Sequence, residues 1–338
     1  MVNKAKVGYA GLTLAEGRNW LLQAGDILFS HINSAELVGK CAIYRGVPSE
    51  LVHGMNLLCL RPDPSRIDFN YAPWLIRSSG FRSRLSNFVN KAVNQASISI
   101  GNLRTIAVDV PSVQEQRRIA AMLDQAEALR AKRRQALAKL ETFPQSLFLE
   151  MFGDPLSNPK SWTVLPFGRC AENQDGRRRP VKASDRAERK GSFPYYGASG
   201  IIDMVDGYLF EGERLLIGED GANLLARSTP IAFMAKGRYW VNNHAHVVGF
   251  NGVARLDYLE VFFSLIDLDE YITGSAQPKL NQEQLNKIPI TIPPMDKQEA
   301  FGERLASWQG WRQHQVDSLQ AMSKMSNALQ QRAFRGEL

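Results

Sequence analysis

The sequence repeats itself at one fixed offset, and this duplication constrains the fold more than any other feature of the chain. Gln95, Ile98, Leu103, Ile106, Val108, Val110, Pro111, Val113, Gln116, Ile119 and Leu123 recur as Gln277, Leu280, Leu285, Ile288, Ile290, Ile292, Pro293, Met295, Gln298, Phe301 and Leu305. The same register continues from Leu137, Leu147 and Phe152 to Leu319, Leu329 and Phe334. In each copy an irregular, strand-like region closes in a short strand stopped by proline, and a long polar helix pattern follows. The period is more than half the chain, far beyond the ~20–50 residues of a solenoid repeat, and points to duplicated domains. The order is module, rod, module, rod, which presents two similar surfaces at a set separation.

A chain of 338 residues has room for two separate cores. Its formal net charge of +7 suits a polyanionic partner, without choosing between nucleic acid and an acidic membrane surface. No apolar run approaches the ~20 residues needed to cross a bilayer. Met1 to Ala10 carry two lysines but no apolar stretch for a signal peptide. Cys41, Cys59 and Cys170 are widely spaced, with no CxxC pair, and read as reduced structural residues. These features fit a cytoplasmic protein with no membrane partner.

In the first module Ile27–Phe29, Lys40–Tyr44 and Leu57–Leu60 are expected strands, and Tyr71–Phe88 has helical spacing. Ile106 to Val110 alternates like a half-buried strand. Ser112 then suits a helix cap, with Glu115 as the other half of a capping box. The stripe Ile119, Leu123, Ala126, Leu137, Leu140 and Leu147 is narrow, as in a coiled-coil seam. Pro144 should kink or interrupt this helix. In the second module Leu215–Ile217, Ile231–Phe233 and His246–Val248 are expected strands and Tyr258–Ile266 a helix. The second rod, with Asp296 as its expected cap, carries Phe301, Leu305, Trp308, Val316, Leu319, Met322 and Leu329. Neither rod can be buried alone, so the economical solution is that the two pack together, running antiparallel.

The arrangement resembles the DNA-specificity subunit of type I restriction-modification systems. The resemblance is carried by Pro111–Ile119 (PSVQEQRRI) and its copy Pro293–Gln298 (PPMDKQ), by Leu147–Asp154 (LFLEMFGD), by Asn158–Trp162 (NPKSW) and by Asn242–His246 (NNHAH). It covers nearly the whole chain. It implies an α+β protein in which two α/β target recognition domains are joined by two long helices forming an antiparallel coiled coil. The corresponding boundaries are recognition domain 1 at 1–111, helical spacer 1 at 112–153, recognition domain 2 at 154–293 and helical spacer 2 at 294–338. One departure lies at the start of the first module. Gly25 and Asp26 align with Gly212 and Glu213, yet far less chain precedes them than runs from Leu156 to Gly212. The missing part matches the NPKSW opening and the basic loop after it.

The densest basic cluster is Arg177, Arg178, Arg179, Lys182, Arg186, Arg189 and Lys190, a loop suited to neutralising phosphates. Tyr195 and Tyr196 follow and suit a core as well as a contact. Base reading needs side chains that donate and accept in pairs. In the second module the candidates are Asn223, Arg227, Asn242, Asn243 and Gln277, with Lys279 on a phosphate. In the first they are His31, Asn33, Arg77, Arg82, Arg84, Asn94 and Gln95. His244 and His246 lack further ligands at metal spacing and read as structural. The run Arg130, Lys132, Arg133, Arg134 and Lys139 reads as the wet face of a coiled coil.

There is no GxGxxG after a strand, no GxxxxGK[ST], and no Asn/Asp-Pro-Pro-aromatic element for a flipped base. The chain is therefore expected to be non-catalytic and to hold no cofactor or metal. The resemblance implies double-stranded DNA and two adenine methyltransferase subunits as partners, S-adenosylmethionine being bound by the latter, with restriction/translocase subunits as further partners. The competing reading is a coiled-coil scaffold or inhibitor whose modules bind protein.

Overall fold

The computed structural model describes residues 7–93, 95–274 and 277–337. The chain divides into two compact units, Met1–Ala136 with Gln315–Leu338, and Leu137–His314.

In the first unit the elements run α1 (Leu14–Gly17), β1 (Ile27–Ser30), β2 (Ile32–Asn33), β3 (Cys41–Ile43), β4 (Leu57–Leu60), α2 (Tyr71–Arg77), α3 (Ser79–Ser86), β5 (Asn90–Lys91), β6 (Ala96–Ser97) and α4 (Ile100–Thr105). The helix α5 (Val113–Leu140) follows, its last turn from Leu137 belonging to the second unit. β1 lies between β3 and β4, antiparallel to both. All four of its residues are buried because each face is covered. Ile27 and Phe29 pack with Ala72, Ile76 and Leu85, while Leu28 packs with Leu22 and Tyr44. The helix expected over Tyr71–Phe88 is broken at Ser78, whose hydroxyl accepts the Phe81 N–H at 3.3 Å and starts α3 afresh.

The second unit holds α6 (Phe143–Phe152), β7 (Thr163–Pro166), α7 (Phe167–Cys170), β8 (Glu172–Asn173), α8 (Ala183–Glu188), β9 (Lys190–Gly197), β10 (Gly200–Val205), β11 (Phe210–Glu211), β12 (Arg214–Gly218) and α9 (Asn223–Ala226). Then come β13 (Ala232–Ala235), β14 (Arg238–Val241), β15 (Ala245–Gly249), α10 (Leu256–Leu265), α11 (Gln282–Lys287), β16 (Pro289–Ile292) and α12 (Met295–Ala333), whose residues from Gln315 onward belong to the first unit. Its sheets have the orders β13-β12-β15-β8, β10-β9-β14-β11 and β16-β7. Phe148, Phe152, Tyr258, Phe262 and Phe301 form an aromatic core that fastens α6, α10 and α12 together.

The duplication extends further in structure than in sequence. β3-β1-β4 and β13-β12-β15 share one order and sense. The His31 N–H donates to the Asn56 carbonyl as the Glu219 N–H donates to that of His244. Ile98 N–H likewise donates to the His31 carbonyl as Leu280 N–H donates to that of Glu219. The step from His31 to Glu219 is slightly longer than the step from Gln116 to Gln298 in the rods. This slip hides the relationship from a single-register reading.

One expected strand is absent. Ile106 to Val110 forms no strand, whereas its copy Pro289–Ile292 is β16, paired with β7. β7 belongs to the opening of the second module, and no described residue of the first supplies an equivalent partner.

The rods begin and break close to expectation. The Glu115 N–H donates to the Ser112 hydroxyl at 3.3 Å, but the Glu115 carboxylate pairs with Arg118 at 2.6 Å instead of closing a capping box. α5 stops at Leu140, and Pro144 lies in the first turn of α6, where its missing N–H costs nothing. α12 starts from Pro294, whose carbonyl accepts the Lys297 and Gln298 N–H groups, so Asp296 is a first-turn residue and not the cap.

Side chains of the rods meet within each unit. In the first, Ile119, Ala120 and Leu123 pack with Leu329, Ala333 and Phe334. Arg130 donates to Ser323 at 3.2 Å, and Arg133 to Gln315 and, at 3.3 Å, to Ser318. In the second, Arg312 pairs with Glu141 at 2.7 Å, and Trp308 stacks on Phe143 at 6.0 Å. Within each unit the partners descend along α12 as they ascend along α5 and α6. Arg130 and Arg133 are thus half-buried between helices, unlike the exposed Lys132, Arg134 and Lys139 expected with them on a wet face.

Candidate nucleic-acid interface

In the second unit four loops gather at one rim, where β12 ends and β15 begins. The Glu219 N–H donates to the His244 carbonyl at 2.9 Å, and the Gly221 N–H to that of Pro278 at 3.1 Å. Asp220 forms a β-bridge with Lys279, and its carboxylate holds the His244 ring at 2.8 Å. Gly218 lies so close to the hairpin turn of β9 and β10 that an added Cβ would stand 3.0 Å from the Ala198 carbonyl oxygen. Residues 197–200, 219–223, 242–244 and 277–279 therefore share one edge.

This rim brings together Asn223, Asn242, Asn243, Gln277 and Lys279. They are not equally available. Asn243 and Gln277 are exposed. Asn242 is 4% exposed, and its side-chain oxygen accepts the His244 N–H at 2.8 Å, which shapes the turn. Asn223 clamps its own loop through Ser228 and both backbone groups of Thr229. Arg227 sits at φ 47° and donates to the Phe263 carbonyl at 3.3 Å. Lys279 pairs with Glu219 at 3.2 Å while staying half-exposed.

Beneath the rim runs a buried charged network. His246, 1% exposed, stands 2.6 Å from the Asp175 carboxylate and 2.8 Å from the Leu280 carbonyl. Arg178 pairs with Glu219 at 2.6 Å and Asp175 at 3.3 Å, and donates to the Ala245 carbonyl at 2.8 Å. Burial alone would raise the Asp175 carboxyl, but the His246 hydrogen bond and charge and the Val247 N–H hold it below its usual range. Asp175, Glu219 and His246 place ligand atoms within 4.8 Å of one another. Arg178 already supplies the positive charge there, and both His246 nitrogens face acceptors, so this set does not fit a metal.

The basic loop is held onto the sheet by its own cations. Arg177 lies over Phe210 at 4.8 Å, Arg186 over Tyr195 at 4.9 Å and Arg189 over Trp240 at 4.9 Å. Arg186 and Lys190 converge on Asp203, whose carboxyl is pulled down to about 2 by Lys190, the Met204 N–H and Arg186. Tyr195 is core, its hydroxyl accepting the Val181 N–H at 2.9 Å. Tyr196 is half-buried against Phe233 and Tyr239. Arg179 and Lys182 are exposed, with no side-chain partner among the described residues. Arg178 and Arg186 are mostly buried within the fold, Arg177 is partly engaged, and Arg179 and Lys182 extend into solvent.

The first unit has the matching edge. His31 holds the Met55 carbonyl at 2.9 Å, and Asn33 shapes its turn through Ser30 and Ser34. Gln95 is exposed on the segment before β6; Asn94 beside it lies outside the described residues. Arg77, Arg82 and Arg84 instead donate to the carbonyls of Cys41, Val38 and Ala107 and clamp the fold. Sequence reasoning passed over the Asp220–His244 pair on the rim. His244 belongs to the turn before β15, outside the strand expected over His246–Val248. The available signal was the acidic residue just beyond β12.

Two α+β modules, each with a loop-built polar edge and each leading into a long helix, define a protein that presents paired recognition surfaces. Residues 4–142 and 159–309 match the model of the type I restriction modification DNA specificity domain, and the chain belongs to that family. A protein of Methanocaldococcus jannaschii, named for the specificity subunit of type I restriction enzyme MjaX, is 26% identical over 325 residues, covering 90% of this chain and 76% of its own. The Escherichia coli type I restriction enzyme EcoprrI specificity subunit is 29% identical over 114 residues, 34% of this chain and 27% of its own. Among solved structures, a chain from a type I restriction-modification assembly matches with a TM-score of 0.64 at 13% identity, covering 94% of this chain and 83% of that one. The type I S subunit from M. genitalium matches at 0.56 and 15% identity, covering 94% and 84%. Identities this low carry the fold alone.

Proposed function

We propose that this chain is the non-catalytic DNA-reading subunit of a type I restriction-modification complex. Family membership supports the role of sequence recognition, and the single observation that carries it at residue level is the repeated loop edge, built by the same backbone bonds around His31 and Glu219. Exposed Asn243 and Gln277 at one edge and Gln95 at the other can donate and accept in pairs toward base edges. Arg179, Lys182 and Lys279 border the second edge as phosphate contacts. The modules, 1–111 and 154–293, differ in sequence, so the target is bipartite with unlike halves. The helical segments 112–153 and 294–338 pair as an antiparallel coiled coil that sets the spacing. They also recruit two adenine methyltransferase subunits, which bring S-adenosylmethionine, and a restriction/translocase subunit joins through these.

A salt titration tests the reading. Binding of the full chain to duplex DNA should weaken steeply and linearly in log affinity against log salt, by ~0.9 per phosphate contact. Salt-insensitive binding, or none, would favour a scaffold that docks proteins.

A further inference from the structure

Two glutamines occupy equivalent joints in the two units, and both are 0% exposed. In the first unit the Gln116 side-chain oxygen accepts the Asp68 N–H at 2.9 Å, while its NH2 group donates to the carbonyls of Arg66 and Pro111, each at 2.9 Å. In the second, the Gln298 oxygen accepts the Arg255 N–H at 2.8 Å, and its NH2 group donates to the carbonyls of Val253 at 3.2 Å and Pro293 at 2.9 Å. Each side chain thus spends its acceptor and both donors on three backbone groups. Those groups belong to the loop entering the module's helix (α2 or α10) and to the proline that ends the segment before the rod. The same triangle is reached although the step from Asp68 to Arg255 is longer than the step from Gln116 to Gln298. Two loops out of register with their glutamines, converging on one hydrogen-bond pattern, indicate a geometry that the fold holds fixed.

We propose that Gln116 and Gln298 are positioning residues that lock each recognition module at one angle on its own helix, and thereby restrict the DNA target to a single spacer length. The inference rests on the reading of the chain as a bipartite DNA reader. One added base pair moves a half-site ~3.4 Å along the duplex and turns it ~35°. A module pinned at three backbone points cannot follow that turn without breaking buried hydrogen bonds. Without the pin, neighbouring spacers fall within reach, while the base-reading loops, which the glutamines do not touch, stay intact.

The test is selection from a duplex pool with a randomised tract about four helical turns long, using the full-length chain. Wild type should return two unlike half-site motifs at one spacer length. Gln298→Met and Gln116→Met, which fill the space but cannot make the bonds, should return the same motifs over adjacent spacers. The preference for the best spacer, tenfold or more in wild type and so on the scale of one mismatched base pair, should fall to about threefold. Leu215→Ala, in the core of the second unit and not a partner of Gln298, should lower stability yet keep a single spacer. A single spacer in the glutamine variants, or equal broadening in Leu215→Ala, would overturn the proposal. If the methionine variants do not fold, Gln298→Asn, which retracts the amide by one methylene, faces the same two outcomes at lower temperature. A wild-type pool with no bipartite motif would instead overturn the underlying reading of function.

Discussion

The Nδ1 of His246 stands 2.6 Å from the Asp175 carboxylate, both nearly excluded from solvent, directly below the candidate DNA edge. Removing one member of a buried pair strands the other, so Asp175→Ala should cost ~3–5 kcal/mol. The Asp175 carboxyl is held below its ordinary 3.8, so its contribution is present above that pH and disappears as pH falls through the lowered value. Denaturant unfolding of wild type and variant across acid pH should show the two curves converging toward strong acid.

The basic loop should separate into two classes on mutation. Arg179→Ala with Lys182→Ala should leave unfolding unchanged and flatten the salt slope of DNA binding by up to ~1.8. Arg178→Ala, which takes the shared guanidinium from Glu219 and Asp175, should lower the melting temperature before any effect on DNA can be read. Parallel melting and salt titrations check both.

Replacing the Glu260 carboxyl should stabilise the fold. Burial raises its carboxyl, offset only in part by the Met234 N–H at 3.1 Å. An acid raised in the folded state weakens the fold as pH climbs past the unfolded value, and the penalty is relieved toward acid. Glu260→Gln keeps the acceptor and should raise stability at neutral pH by ~1 kcal/mol, with the gain fading below about pH 4. Thermal melts at several pH values measure this.

The cysteines should be inert in the native state. Burial pushes the thiol of Cys170 up to about 11, and burial together with Asp26 does the same to Cys59. Only the thiolate attacks an alkylating reagent. Iodoacetamide at neutral pH should label Cys170, which is 0% exposed, only after unfolding, as mass spectrometry would show.

The rods and the repeated modules were legible because hydrophobic period and proline punctuation are local signals. Ser112 as a cap and Pro144 as a break follow from chemistry within a few residues. The strand expected at Ile106 to Val110 failed for a nonlocal reason: its copy pairs with β7, and no partner for it exists among the described residues of the first unit. Candidate arginines were harder still. Arg84 and Arg178 look alike in sequence, yet their donors are spent on the Ala107 carbonyl and on Glu219, which nothing local reveals. The second edge itself was recoverable only in part, since Asp220 and His244 meet through a strand end and a turn well separated along the chain.

As proposed, this chain directs modification to two unlike half-sites held at one distance. Methylation-sensitive sequencing of host DNA, with and without an intact copy of the chain, measures that directly. Methylated adenines should vanish from one bipartite motif with a fixed gap when the chain is lost. An unchanged methylation pattern, or loss from a single unbroken motif, would contradict it.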